Sequence, residues 1–393
     1  MVKIFKSYKN ILLCLILISL PFMQLGLTYY ISVFFLLFLV SFLRALSVKS
    51  FFGANSKYII FGGLFFFLKI FSLVLSEDTF SYRDILIPLR ELFCFIGIIL
   101  ISLYLKQCVV DIKKLKLFFL FFLSTILILV VSQYIFFARG IYFGLPIDFF
   151  VVNEATLSGA EKALKFGSRY RPTSFYGEPS YTSWITLSIL MVVLFRKEFN
   201  KAFKIRVIFI SFGIVLISQA ISGMLAISVT SLVYFLYYSN SNILNKTRLL
   251  IVAGIIFSLS LYTSEELQSR IYSILSNEDV SSNIRFLKPY LILKDMINNA
   301  DFFGVNNYSE LLSVIDNAGF GLIIQYGVIS VFILILFFKF VEKKVLWLYL
   351  ILSLNFNGAF FRFDKALVIS LVIGMSYCIL KSDEKQLKRK LVW

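Results

Sequence analysis

Between Arg169 and Trp184 the chain reads RYRPTSFYGEPSYTSW, and its residue types are those that grip a phosphate and move a proton. Arginine keeps its charge at any working pH and presents a planar fork that matches phosphate oxygens. Arg169 and Arg171 alternate across Tyr170, so they can face one pyrophosphate or straddle it; the bland alternative is incidental charge on a solvated loop. Glu178 stands before Pro179, a residue suited to the first turn of a helix, which puts the carboxylate near a positive helix start. It is either a simple acidic cap, or a proton acceptor or a partner that orients one of the arginines. Arg285 and Lys288 are three apart and share a face if helical, as a phosphate clamp or as a solvated amphipathic face. Asp316 and Asn317 precede another apolar run, as caps or as polar groups of a site.

Other charges stand in or beside apolar stretches. Asp364 can neutralise Arg362 or Lys365, which favours a structural ion pair. Arg83, Asp84, Arg90 and Glu91 cluster at the start of one stretch, and ionisable groups inside a bilayer are functional candidates by default. Lys69 lies within a span, where it can snorkel or face the bundle interior.

These residues are set in a chain that is 59% hydrophobic and 18% aromatic, with mean hydropathy +0.88. A soluble domain of this size needs far more polar surface. The pattern predicts an all-α polytopic membrane protein, a single membrane domain over 1–393. About twelve spans fall near 11–27, 29–45, 58–75, 85–105, 115–137, 180–195, 205–219, 221–238, 249–263, 317–338, 345–359 and 366–380. The N-terminal run after Lys3, Lys6 and Lys9 lacks a small-x-small cleavage site and reads as a retained helix. Assigning Lys and Arg to alternating loops puts about 25 on the side of both termini and about 13 on the other. Positive-inside bias therefore accounts for the net charge of +17 without nucleic acid, and both termini are predicted cytoplasmic. The loops 138–180 and 264–316 then lie outside, the only ones with room for a site beyond the bilayer. In the second, Ser264 with Glu265 and Glu266 reads as a helix start, and 283–298 as a further helix that Pro289 kinks or begins.

Several chemistries are excluded. The chain has no histidine, which removes His-based metal sites, Ser-His-Asp triads and imidazole relays, and neither a metal nor a cofactor is expected. Cys14, Cys94 and Cys378 lie in spans and Cys108 in a cytoplasmic loop, so no disulfide framework is implied. No GxxxxGK[ST] run occurs, which argues against ATP-driven transport by this chain alone.

Three elements in order resemble the O-antigen polymerase (Wzy-type) family, within the O-antigen ligase/polymerase group of membrane glycosyltransferases. The first is RPTSFYGEPS (171–180), similar to the family's Arg…Phe…Glu-Pro-Ser element before a span. The second is the polar break Ser218-Gln219-Ala220-Ile221-Ser222-Gly223, which has Ile221 where the family's turn carries arginine. The third runs from Arg285 through Phe303-Gly304-Val305 to Asp316-Asn317 and Gln325-Tyr326-Gly327, with Asp-Asn where the family has His-Asn.

The resemblance implies a site at the periplasmic face of a bacterial inner membrane. Its substrates would be undecaprenyl-pyrophosphate-linked oligosaccharide repeat units, which it would polymerise into O-antigen or a related surface polysaccharide of lipopolysaccharide biosynthesis. Arg169, Arg171, Arg285 and Lys288 would hold the pyrophosphate, and Glu178 or Asp316 would be the base. A chain-length regulator and a flippase are the implied partners besides lipid. The alternatives are an O-antigen ligase, disfavoured by the residue at Asp316, and a polysaccharide flippase or transporter, disfavoured because the charges gather in the outer loops.

Overall fold

The computed structural model describes residues 8–22, 33–46, 55–75, 81–141, 171–176, 178–238, 268, 272, 276, 283–311, 315, 317–356 and 360–381. The described residues are predominantly helical. Among the described residues, four helices are long and apolar enough to cross a membrane: Ser56–Leu75, Tyr82–Lys106, Ile112–Ala138 and Ile221–Tyr238. The expected span at 249–263 and the helix start at Ser264 lie outside the described residues.

The chain divides into two compact units. The first comprises Met1–Gly53, Gly97–Ile227 and Phe363–Trp393, and the second Ala54–Ile96 and Ser228–Arg362.

In the first unit the described helices are α1 (Tyr8–Ser19), α2 (Val33–Leu46), the later part of α4 (Tyr82–Lys106), α5 (Ile112–Phe137), α6 (Pro179–Leu194), α7 (Lys201–Ile217), the start of α8 (Ile221–Val233) and α14 (Phe363–Tyr377). Helix α6 is its centre, with every residue buried, and it packs against α7 and α14. A helix with no charged face, whose hydroxyls are hydrogen-bonded, belongs in an interior. Its hydroxyls are satisfied locally: Ser183, Thr186 and Ser188 donate to the carbonyls of Pro179, Thr182 and Trp184. Side-chain caps set the starts of α5 and α7. Asp111 accepts from the Lys113 and Lys114 N–H groups, and Asn200 from Phe203.

One end of this unit carries a feature that the helical periodicity did not announce. Val109–Asp111 (β1) and Ile379–Lys381 (β2) form a short parallel pair, Val109 opposite Ile379. Arg196, nearly buried, donates to the carbonyls of Met375 (2.9 Å) and Cys378 (2.8 Å) and pairs with Glu198 at 2.7 Å. It thereby takes up carbonyls that the end of α14 leaves over.

The second unit holds α3 (Ser56–Leu75), the start of α4, α9 (Lys288–Asn298), α10 (Tyr308–Leu311), α11 (Ala318–Tyr326), α12 (Ile329–Val341) and α13 (Lys344–Ser353). Phe66 is its aromatic hub, with ring centroids 5.3 Å from Tyr326, 5.8 Å from Phe95 and 5.9 Å from Phe361. Pro289 marks a beginning rather than a kink inside α9, which follows a wide turn at Asn283–Leu287. The stretch 317–338, expected as one span, is broken: α11 stops at Tyr326, Gly327 takes φ +53°, and α12 starts at Ile329. A Cβ on Gly327 would collide with the Phe302 carbonyl, so glycine permits the close backbone approach that breaks the helix.

Candidate functional site

The segment from Arg171 to Glu178 is built into the first unit. Gln133, one turn from the end of α5 and 1% exposed, clamps it. Its Oε1 accepts from the N–H groups of Thr173 (2.9 Å) and Ser174 (2.8 Å), and its Nε2 donates to the Ser174 carbonyl (2.9 Å). The side-chain amide thus completes the backbone bonding of a stretch with no helix or strand of its own. Ser174 sits at φ +58°, an uncommon conformation for a residue with a Cβ, and these bonds hold it there. The Thr182 hydroxyl of α6 donates to the Thr173 carbonyl, and the Tyr176 N–H does the same at 3.1 Å.

Tyr176 anchors the other half. It is fully buried, and its hydroxyl donates to the Leu20 carbonyl at 2.9 Å. Burial pushes its phenol well above the usual range, so it stays a neutral anchor.

Arg171 and Glu178 are left half-buried at the two ends of this pinned stretch. Glu178 takes the N-cap position of α6 in extended backbone geometry, with Pro179 in the first turn, as its sequence suggests. Its carboxylate makes no cap bond to the backbone; it accepts from the Ser180 hydroxyl at 3.0 Å instead. The segment is therefore a docked loop, Ser174 and Tyr176 buried within it, and not an open solvated one.

The second unit organises residues of the third motif element. Phe302–Val305 lies against the break between α11 and α12. Val305 donates to the Ile324 carbonyl (2.9 Å) and Val328 to the Phe302 carbonyl (2.9 Å). Gly304 at φ +81° faces the Gln325 carbonyl, with no space for a side chain. The structure thus joins Phe303-Gly304-Val305 to Gln325-Tyr326-Gly327. On the other side of this knot Lys69 of α3, 1% exposed, donates to the carbonyls of Phe303 (3.0 Å), Gly304 (3.3 Å) and Val305 (3.0 Å). Of the two readings of Lys69, interior-facing is the one found. Glu91 of α4, 2% exposed, accepts from the Tyr326 hydroxyl at 2.7 Å and pairs with Arg90 at 3.4 Å. Tyr308, also buried, has its phenol pushed up by burial and by the Glu91 charge.

Of the expected site residues, Arg171 and Glu178 share one segment of the first unit. Arg285 is placed by its backbone in the Asn283–Leu287 turn of the second, and Lys288 is exposed at the start of α9. Arg169 and Asp316 lie outside the described residues. Asn317 is a cap: its side chain accepts from Gly319 (2.9 Å) and Phe320 (3.1 Å). Lys365 is buried, with its ammonium 5.9 Å from the centre of the Trp184 ring. Among the described residues no three His, Cys, Asp or Glu side chains gather as a metal site would require. Sequence reasoning missed Gln133, whose signal was a single long amide near the end of an otherwise apolar helix. No model of a known protein family and no curated protein matches the chain.

Proposed function

We propose that the chain is a membrane glycosyltransferase of the O-antigen polymerase kind, acting at the outer face of a bacterial inner membrane on undecaprenyl-pyrophosphate-linked repeat units. The observation that carries the reading is the Arg171–Glu178 segment, held by Gln133, Thr182 and Tyr176 so that a cation and a carboxylate flank one rigid stretch at the start of α6. A rigid support of this sort is what a reaction with a charged leaving group needs.

In the proposed reaction, the bond between the anomeric carbon of the growing chain and its lipid pyrophosphate breaks, and the acceptor hydroxyl oxygen bonds to that carbon. Arg171, beside Arg169 in sequence, neutralises the departing pyrophosphate; Arg285 and Lys288 are the second unit's own candidates for phosphate binding. Glu178 takes the acceptor proton late, as the new bond forms, with Ser180 orienting its carboxylate. Asp316 is the second candidate base.

The sidedness that the reading requires is supported by contacts within each unit. Tyr176, just before the expected outer end of α6, meets Leu20 in the outer half of the expected span 11–27, whereas Arg196 meets Met375 and Cys378 on expected inner ends. Lys69, towards the expected outer end of α3, meets the second outer loop at Phe303.

Deletion of the gene in its native strain, with lipopolysaccharide resolved on a silver-stained gel, tests the proposal. The expected result is a ladder collapsed to core plus one repeat unit. Collapse to bare core would assign the chain to ligation or flipping instead, and an unchanged ladder would refute the role in O-antigen.

A further inference from the structure

Lys69 is a fully buried cation that the proposed chemistry does not use. Among the described residues it has no carboxylate partner, and Asp84 and Asp301 act on it only from a distance. Its ammonium is satisfied by three successive backbone carbonyls, Phe303 to Val305. Three donors on one ammonium match three acceptors on one turn. A charge set in a bilayer-spanning helix is costly, and an apolar residue would fill the same space against α12 at lower cost.

The three carbonyls belong to the turn that has docked onto the helix break. The N–H of Val305 is spent on Ile324, the carbonyl of Phe302 on Val328, and Gly304 and Gly327 allow the two backbones to touch. What remains unsatisfied on the turn points at α3, and Lys69 closes it. On the far side of the break, Glu91 holds the Tyr326 hydroxyl. The knot joins two stretches of chain: α9, preceded by the Arg285 turn, leads into it, and α10 with Asn317 follows it.

We propose that Lys69 is a positioning residue for the transfer reaction. Its ammonium fixes Phe302–Val305 on the helix break and so sets where the second outer loop presents Arg285 and Lys288 to the pyrophosphate. This rests on the polymerase reading for its functional half, while the clamp itself is a property of the fold.

The experiment uses the full chain purified in detergent micelles, together with complementation of the deletion strain. Phe302 and Phe303 offer exposed rings to chymotrypsin on a backbone that Lys69 pins. In Lys69→Met, cleavage after Phe302 or Phe303, identified by mass spectrometry, should run about tenfold faster or more, since even one of the three charge-assisted hydrogen bonds lost is worth that much. The ladder should collapse at unchanged membrane abundance. Lys69→Arg, which keeps the cation, should slow the cleavage again and restore part of the ladder. Should Lys69→Met fail to accumulate, Lys69→Gln, with donors but no charge, carries the same two readouts. Unchanged cleavage would overturn the clamp. Faster cleavage with an intact ladder would overturn the positioning role. A deletion strain with a normal ladder would remove the polymerase reading, while the cleavage rates would still decide the clamp.

Discussion

Replacing Gln133 with leucine tests the support of the candidate site at its most exposed point in energy. Leucine is close in volume and suits an apolar helix, so α5 itself should be unharmed. The change strands three backbone groups: the N–H groups of Thr173 and Ser174 and the Ser174 carbonyl, bonded at 2.9, 2.8 and 2.9 Å in the native chain. Each buried group left unpaired costs about 1 kcal/mol or more, so the docked loop loses at least about 3 kcal/mol. At about 1.4 kcal/mol per factor of ten, that raises local opening by roughly a hundredfold. Amide exchange of Thr173 and Ser174, followed by mass spectrometry on the detergent-solubilised chain, reads this directly. Gln133→Glu is the internal control. It can still accept from both N–H groups but no longer donates to the Ser174 carbonyl, and should fall between wild type and Gln133→Leu. Exchange in Gln133→Leu equal to wild type would refute the argument that this side chain holds the segment.

Arg171→Ala and Glu178→Gln should each collapse the ladder at normal protein abundance, and Glu178→Gln retaining full polymerisation would remove that carboxylate from the base role. Gly304→Val forces a branched residue to φ +81° and drives its Cβ into the Gln325 carbonyl. It should cost about 3 kcal/mol or more, seen as a lowered melting temperature in detergent. Tyr326→Phe removes the donor that Glu91 holds at 2.7 Å, and should destabilise the second unit by about 2 kcal/mol in the same melting assay.

The long helices were legible because hydrophobic length is a strong signal: 58–75, 85–105 and 115–137 lie within the observed Ser56–Leu75, Tyr82–Lys106 and Ile112–Ala138. Pro179 after Glu178, and Pro289 in the first turn of α9, placed helix starts for the reason that proline suits a first turn. The break at Gly327 was not legible. Its cause is the approach of Phe302, 25 positions earlier, and no local periodicity records that contact. The same holds for Gln133, a single amide whose three bonds go to a loop about 40 residues away. The β1–β2 pair escaped because three residues are too few for an alternation to show. Lys69 stood out as a charge in a span, but which of its two readings applied depended on three carbonyls from a distant loop.

Chain extension in vitro tests polymerisation by this chain itself. The purified chain, reconstituted in lipid vesicles, is given undecaprenyl-pyrophosphate-linked repeat units extracted from a strain lacking it, and the lipid-linked glycans are sized. The native chain should give products of two or more repeat units, and Arg171→Ala none. Single units remaining unextended by the folded native chain would contradict polymerisation by this chain.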